Sequence, residues 1–377
     1  MMPMTALIEI PHDLLPRDGR FGSGPSKVSD AQVSALVASQ PSVLGTSHRQ
    51  APVKGLVGDV RRMLAELYSL PEGYEVVLGN GGSTLFWDAA AFSLVDELAQ
   101  HCTFGEFGAK FAKATDLAPH LRRSSLRTAE PGSIVLPEAE DGVDVYAWPH
   151  NETSTGAIAP VLRPAGTEGA LTVVDATSAA GGTLVDLTQA DVYYFAPQKS
   201  FASDGGLWFA FLSPAALARV EAIAAAKRWV PESLSLAAAI DNSRANQTLN
   251  TPAVATLVMM RAQLEWMLAG GGLPFAAGRS AESSTAIYDW AERTSWATPF
   301  VTDPVHRSPV VATIDLDASI DSAVLRTHLR GNGIVDIDPY RKLGRNQIRV
   351  GVYPAVDPDD VRALLACIDH VADRLGS

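Results

Sequence analysis

Apolar residues along the chain fall into two alternating rhythms. From Val53 to Tyr68 they recur at helical spacing (Leu56, Val57, Val60, Leu64, Leu67), and Pro71-Glu72-Gly73 breaks the run. Glu75-Val76-Val77-Leu78 then reads as a short buried strand. The same succession repeats downstream. A strand-to-helix transition opens at Thr103-Phe104-Gly105, strands are predicted at Val143–Trp148 and Leu171–Val174, and Val192-Tyr193-Tyr194-Phe195 is a β-branched and aromatic run that Pro197 must end. Gly206-Leu207-Trp208-Phe209-Ala210-Phe211 follows, and Ser213-Pro214 starts a helix as N-cap and first helical residue. Strands near 76, 103, 145, 173, 194 and 209, with helices between, predict a largely parallel sheet covered on both faces.

The pattern changes after Gly270-Gly271-Gly272. A helix over about 276–292, a strand over 310–314, a helix over 322–329, a strand over 347–351 and a final helix to about Leu375, capped by Asp357-Pro358, form a second α/β unit. With 377 residues, two domains are expected: 21–269 and 270–377, preceded by a proline-bearing arm at 1–20. The stretch from Pro119 to Asp141 reads as peripheral. No internal repeat or low-complexity tract is present.

Composition narrows the partners. The hydrophobic fraction of 47% and charged fraction of 19% are those of a globular protein. A net charge of −12 and a pI near 5.1 argue against nucleic acid or an anionic membrane surface. Cys102 and Cys367 form neither a disulfide framework nor a metal spacing, so core thiols in a reducing compartment are expected, and no metal. With no apolar run of membrane length and no basic-then-apolar leader, a cytoplasmic protein is expected.

Candidate chemistry collects at predicted strand ends, where open α/β sheets bind ligands. Lys199 lies just beyond Phe195, and Asp175 closes the strand before it. An amine and a carboxylate at neighbouring strand ends are what a pyridoxal phosphate (PLP) enzyme uses, one to hold the cofactor covalently and one to keep its ring nitrogen protonated. Gly79-Asn80-Gly81-Gly82-Ser83-Thr84, between a strand and a helix, offers free backbone N–H groups to one phosphate but matches no dinucleotide or Walker pattern. Arg49, beside His48 in a polar loop, suits a phosphate or carboxylate. Phe107 is available to stack on a planar cofactor.

Taken in order, Gly22-Ser23-Gly24-Pro25, Ser47-His48-Arg49, Gly81-Gly82, Asn151-Glu152-Thr153, Asp175, Gln198-Lys199, Asn250-Thr251-Pro252 and Arg349 resemble the phosphoserine aminotransferases, class V members of the fold type I PLP aminotransferases. The resemblance spans the chain from Phe21 to the last helix. It implies a large domain built on a mainly parallel, seven-stranded type of sheet, a smaller C-terminal α/β domain, and a homodimer. It also implies PLP covalent to Lys199, which then moves the substrate α-proton, with Asp175 at the pyridinium nitrogen. Ser83, Thr84 and Gln198 would hold the cofactor phosphate, joined by Asn250 and Thr251 from the partner subunit. Phe107 would lie on the ring and Thr153 near its phenolic oxygen. His48 and Arg49 would meet the substrate phosphate, and Arg349 the α-carboxylate. The implied substrates are O-phosphoserine, glutamate, 2-oxoglutarate and 3-phosphohydroxypyruvate, in serine biosynthesis, with a phosphorylated four-carbon substrate of pyridoxine synthesis as a further option.

The chain departs from the common family pattern in three places. Leu85 stands where many relatives carry an arginine at the cofactor phosphate, Phe107 where Trp is frequent, and Tyr340-Arg341-Lys342-Leu343-Gly344-Arg345 replaces a His-Arg pair, which makes Arg341, Lys342 and Arg345 candidates for the phosphate pocket. The alternatives are another class V enzyme of serine– or alanine–glyoxylate type, and a PLP-binding protein without turnover.

Overall fold

The computed structural model describes residues 7–375, so the first six residues of the expected arm lie outside the described residues. In chain order the elements are α1 (Asp30–Ala38), α2 (Ala51–Leu67), β1 (Glu75–Asn80), α3 (Gly82–Ser93), β2 (Ala99–Thr103), α4 (Glu106–Asp116), β3 (Ser125–Thr128) and β4 (Val145–Pro149). A short hairpin follows, β5 (Asn151–Glu152) and β6 (Ala157–Ile158), then β7 (Leu171–Asp175), β8 (Val192–Phe195), β9 (Leu207–Leu212), α5 (Pro214–Ala225), α6 (Leu236–Arg244) and α7 (Val254–Gly270). The last part holds α8 (Leu273–Arg293), β10 (Ala297–Pro299), β11 (Val311–Leu316), α9 (Ser322–Gly331), β12 (Gln347–Gly351) and α10 (Pro358–Leu375).

Seven strands form the main sheet in the order β1-β9-β8-β7-β4-β2-β3, with only β9 antiparallel to its neighbours. Because strand side chains alternate between faces, Tyr193 and Phe195 join one apolar layer with α2 and α7, while Val192 and Tyr194 join the other with α3, α5 and α6. β4, β7, β8 and β9 are buried along their whole length, which explains their near-continuous apolar sequence. The stretch 119–141, expected to be peripheral, contributes a strand that the sequence reading did not include, β3, at the edge of the sheet. Its alternating half-exposed pattern, typical of a sheet edge, left little apolar signal. The sequence reading also passed over α6.

A second, three-stranded antiparallel sheet, β10-β11-β12, packs with α8, α9 and α10 around Ile314, Ile348, Leu325, Leu364 and Ile368. The segment before α1 lies on this unit: the Ile10 N–H donates to Asn332, the Arg17 N–H donates to Asp360, and Phe21 is fully buried in the same core. Cys102 and Cys367 are both buried and unpaired, and burial pushes the thiols up, to about 12 and about 11. Among the described residues, no helix is long and apolar enough to cross a membrane and no cluster of His, Cys, Asp or Glu is able to hold a metal.

Candidate active site

The carboxyl ends of β1, β4, β7 and β8 converge on one cavity of about 380 Å³. Gly82, Ser83, Thr84, Trp87, Phe107, Asn151, Thr153, Asp175, Thr177, Gln198 and Lys199 line it.

Lys199 enters from the loop after β8, whose ladder Pro197 ends. It is 8% exposed, and its Nζ donates to the Ser23 carbonyl at 2.7 Å. Burial, with a smaller push from Arg349, lowers its pKa to about 8, against the opposing pull of Asp175 and Glu152. Asp175 ends β7 and is held on both oxygens: Oδ2 accepts from Trp87 Nε1 at 3.2 Å, and Oδ1 from the Thr177 N–H and hydroxyl at 2.9 and 2.5 Å. The turn from β1 into α3 places Gly81 and Gly82 at φ +106° and +72°, conformations that disfavour any residue with a Cβ. The N–H groups of the first turn of α3 thereby open onto the cavity with no intrahelical acceptor, beside the Ser83 hydroxyl.

The loop after β4 supplies the opposite wall. Asn151 Nδ2 and Thr153 Oγ1 both donate to Ser178 Oγ at 2.8 Å. The next carbonyl, that of Thr153, accepts from Nη1 of Arg349 at 2.9 Å. Arg349 projects from β12 of the small sheet, mostly buried, and its Nε has no protein partner. Tyr340 lies with its ring centroid 5.4 Å from the guanidinium carbon. One edge of the fork is thus anchored, and Nε is unpaired for an anion.

His48, Arg49, Asn250 and Thr251 are brought together, but none of them lines the cavity of its own chain. Thr251 Oγ1 is 3.2 Å from His48 Nδ1, Arg49 donates to Gln247 at 2.6 Å and to the Leu249 carbonyl at 3.3 Å, and Asn80 donates to Asn250. Arg49, Asn250 and Thr251 are exposed. Two of the alternative phosphate residues are occupied elsewhere: Lys342 pairs with Glu106, and Arg345 makes a bidentate pair with Asp315. A smaller, apolar cavity of about 180 Å³ on the far side of Gly79–Gly81 has no lysine, arginine or histidine in its lining, so it offers no amine or guanidinium for this chemistry.

Sequence reasoning missed Trp87, Thr177 and Ser178. Trp87 sits in an apolar helix and reads as core; only its indole N–H, which requires a partner when buried, hints at Asp175.

The residues present fit PLP. The cavity combines a buried amine, a fixed carboxylate and a helix N-terminus, and it contains two buried polar atoms without partners, Gln198 Oε1 and Asn151 Oδ1.

Fold and site define a fold type I, PLP-dependent aminotransferase, and the model of the class-V aminotransferase family matches residues 112–336. A protein of Mycolicibacterium vanbaalenii is 61% identical over 372 residues, covering 99% of this chain and 100% of its own. The phosphoserine aminotransferase of a Nocardioides species is 60% identical over 374 residues, with the same coverage. The chain belongs to the phosphoserine aminotransferase family. The crystal structure of the Cytophaga hutchinsonii phosphoserine aminotransferase shares the fold at a TM-score of 0.86 and 20% identity, over 93% of this chain and 99% of that one.

Proposed function

We propose that the chain carries PLP on Lys199 and transfers an amino group reversibly between glutamate and 3-phosphohydroxypyruvate, giving O-phosphoserine and 2-oxoglutarate. The observation that carries this reading is the buried Lys199 amine sharing one cavity with a carboxylate held on both oxygens. The names of the full-length relatives, at about 60% identity, support the substrate.

PLP joined to an amine withdraws electrons from the amino acid's Cα and acidifies the proton there. The protein's part is placement and proton handling. Ser83, Thr84 and the first turn of α3 would hold the cofactor phosphate with Gln198, and Asp175, oriented by Trp87 and Thr177, would serve the ring nitrogen. Phe107 and Thr153 would stand beside the ring. Arg349, whose Nε has no protein partner, would take the α-carboxylate, and the Lys199 amine, neutral in a large fraction near pH 8, would take up the substrate α-proton and give it back.

His48, Arg49, Asn250 and Thr251 complete the cavity of a partner subunit. His48 bonds Thr251 and Arg49 bonds Gln247 and Leu249 of the same segment, so a homodimer that brings Thr251 to the neighbouring cofactor brings Arg49 with it, to receive the substrate phosphate. The reading places the protein in the cytoplasm, in serine biosynthesis.

The test is a half-reaction. Purified protein loaded with PLP is mixed with O-phosphoserine and no second substrate, and the absorbance is followed. Loss of the lysine-linked pyridoxal band, gain of the pyridoxamine band and one equivalent of 3-phosphohydroxypyruvate per site are expected. Conversion with L-alanine or L-serine but none with O-phosphoserine would exclude the proposed substrate.

A further inference from the structure

Glu152 is fully buried, yet the mechanism above gives it no task. Its carboxylate is one of the most heavily bonded groups near the cavity. Oε2 accepts the backbone N–H groups of Phe107 and Gly108 at 3.0 and 3.1 Å, and Oε1 accepts the N–H and hydroxyl of Ser154 at 3.1 and 2.6 Å. The N–H of Glu106 goes to Ser154 Oγ at 3.0 Å.

The N–H groups of Glu106, Phe107 and Gly108 are those of the first turn of α4. An α-helix leaves its first N–H groups without intrahelical acceptors, and a side chain at the N-cap normally takes one of them. Here the N-cap is Gly105, which has no side chain and makes no capping bond. Nor does the site tolerate one: a Cβ on Gly105 would lie 2.3 Å from Glu152 Cγ and 2.7 Å from Ser154 Oγ. The cap is supplied from the end of β5 and the turn after it, more than forty positions away in sequence. Burial raises the acid's pKa, and the bonds from Ser154 and Gly108 offset that only in part.

The first turn so held carries Phe107, one of the residues that line the cavity. We infer that Glu152 is a positioning residue of the active site: it fixes α4 by its first turn and thereby sets where the Phe107 ring stands in the cavity. The inference rests on PLP occupying that cavity. The residue after Glu152 extends the same device, since the Thr153 carbonyl anchors Arg349.

A double-mutant cycle on cofactor binding tests this without turnover. PLP is titrated into apoprotein of the wild type, Glu152→Ala, Phe107→Ala and the double variant, with absorbance for affinity and induced circular dichroism for the setting of the ring. Glu152→Ala is expected to weaken PLP binding by roughly tenfold and to reduce the induced signal, as the loss of charge-assisted bonds to a turn would. The double variant should bind within about twofold of Phe107→Ala alone, because the carboxylate acts through that ring. Glu152→Gln keeps one oxygen for the Phe107 and Gly108 N–H groups, so it should restore most of the signal.

Losses that multiply in the double variant would overturn the inference. So would unchanged PLP binding in a folded Glu152→Ala protein. If the alanine variant does not fold, the cycle is run with Ser154→Ala, which removes the hydroxyl that bonds Glu152 and accepts the Glu106 N–H, and Phe107→Ala, and is judged by the same additivity criterion. A wild-type protein that takes up no PLP would instead refute the functional reading, a separate outcome.

Discussion

The Lys199 amine and the Ser23 carbonyl meet at 2.7 Å, and the same oxygen accepts the Tyr353 hydroxyl at 2.8 Å. The segment before α1 is thereby part of the site floor. It is joined to the small sheet's unit through Tyr353 and to the large sheet through Lys199. The neighbouring Gly24 has φ +142°, and a Cβ there would sit 1.8 Å from Lys199 Nζ.

Gly24→Ala is accordingly expected to slow and weaken covalent PLP uptake, since the methyl group displaces the end of the Lys199 side chain from its resting place and the backbone at φ +142° resists an L side chain. The fold should persist, because Gly24 is exposed and its neighbours Phe21 and Ser26 stay packed. PLP absorbance and a thermal unfolding curve decide it. A variant that binds PLP normally would show that the amine has another resting place.

The pH at which Lys199 reacts provides a second check. Burial and Arg349 favour the neutral amine, lowering its pKa from 10.5 to about 8. Only the neutral amine attacks the PLP aldehyde, so the rate of uptake by apoprotein should rise with pH and level off once pH passes about 8. A rate still climbing steeply between pH 9 and roughly 10.4, as for a solvated lysine, would contradict the burial argument. The sign for stability is the same. The unfolded chain binds the extra proton between the two pKa values, so apoprotein stability from this group increases as pH rises through that window.

Asp175→Asn removes the negative charge and leaves one acceptor oxygen, enough for the Thr177 pair or for Trp87 but not for both. Proton transfer in the half-reaction should slow by on the order of a hundredfold or more, with a much smaller loss of PLP affinity. Single-turnover kinetics with O-phosphoserine separates the two. Trp87→Phe, which leaves one oxygen of Asp175 without its indole donor, should show the same direction with a smaller effect. Equal rates in wild type and Asp175→Asn would exclude a role for the charge.

Where the sequence was legible, one physical rule sufficed. β8 and β7 announce themselves because buried parallel strands are apolar throughout, and Asp175 and Lys199 stand out as polar residues at their ends. The edge strand β3 was missed because none of it is fully buried: half-exposed and exposed residues alternate along it. Trp87 and Glu152 act through contacts 88 and 45 positions away, which no local pattern encodes. Arg49 illustrates the remaining gap. Its residue type indicated an anion, but whose cavity receives it is a property of the assembled chains.

That assignment yields the final prediction. Arg49 is exposed, is tied to the segment carrying Thr251 through Gln247 and Leu249, and is absent from the lining of its own cavity. If the group serves the partner subunit, Lys199→Ala and Arg49→Ala proteins, each weak or inactive alone, should complement when mixed under subunit exchange. In a two-fold dimer the mixed species holds one site with both residues intact and one with both missing. Random exchange makes half of the dimers mixed, so about a quarter of wild-type activity should return. Lys199→Ala supplies a strict zero, because no other residue of the cavity lining carries an amine. Exchange itself is followed by mass spectrometry of differently tagged subunits. Mixed dimers present at half of the population with no recovered activity would place Arg49 in the site of its own chain, and the phosphate would then require a closure that carries the loop at 46–50 across the cavity.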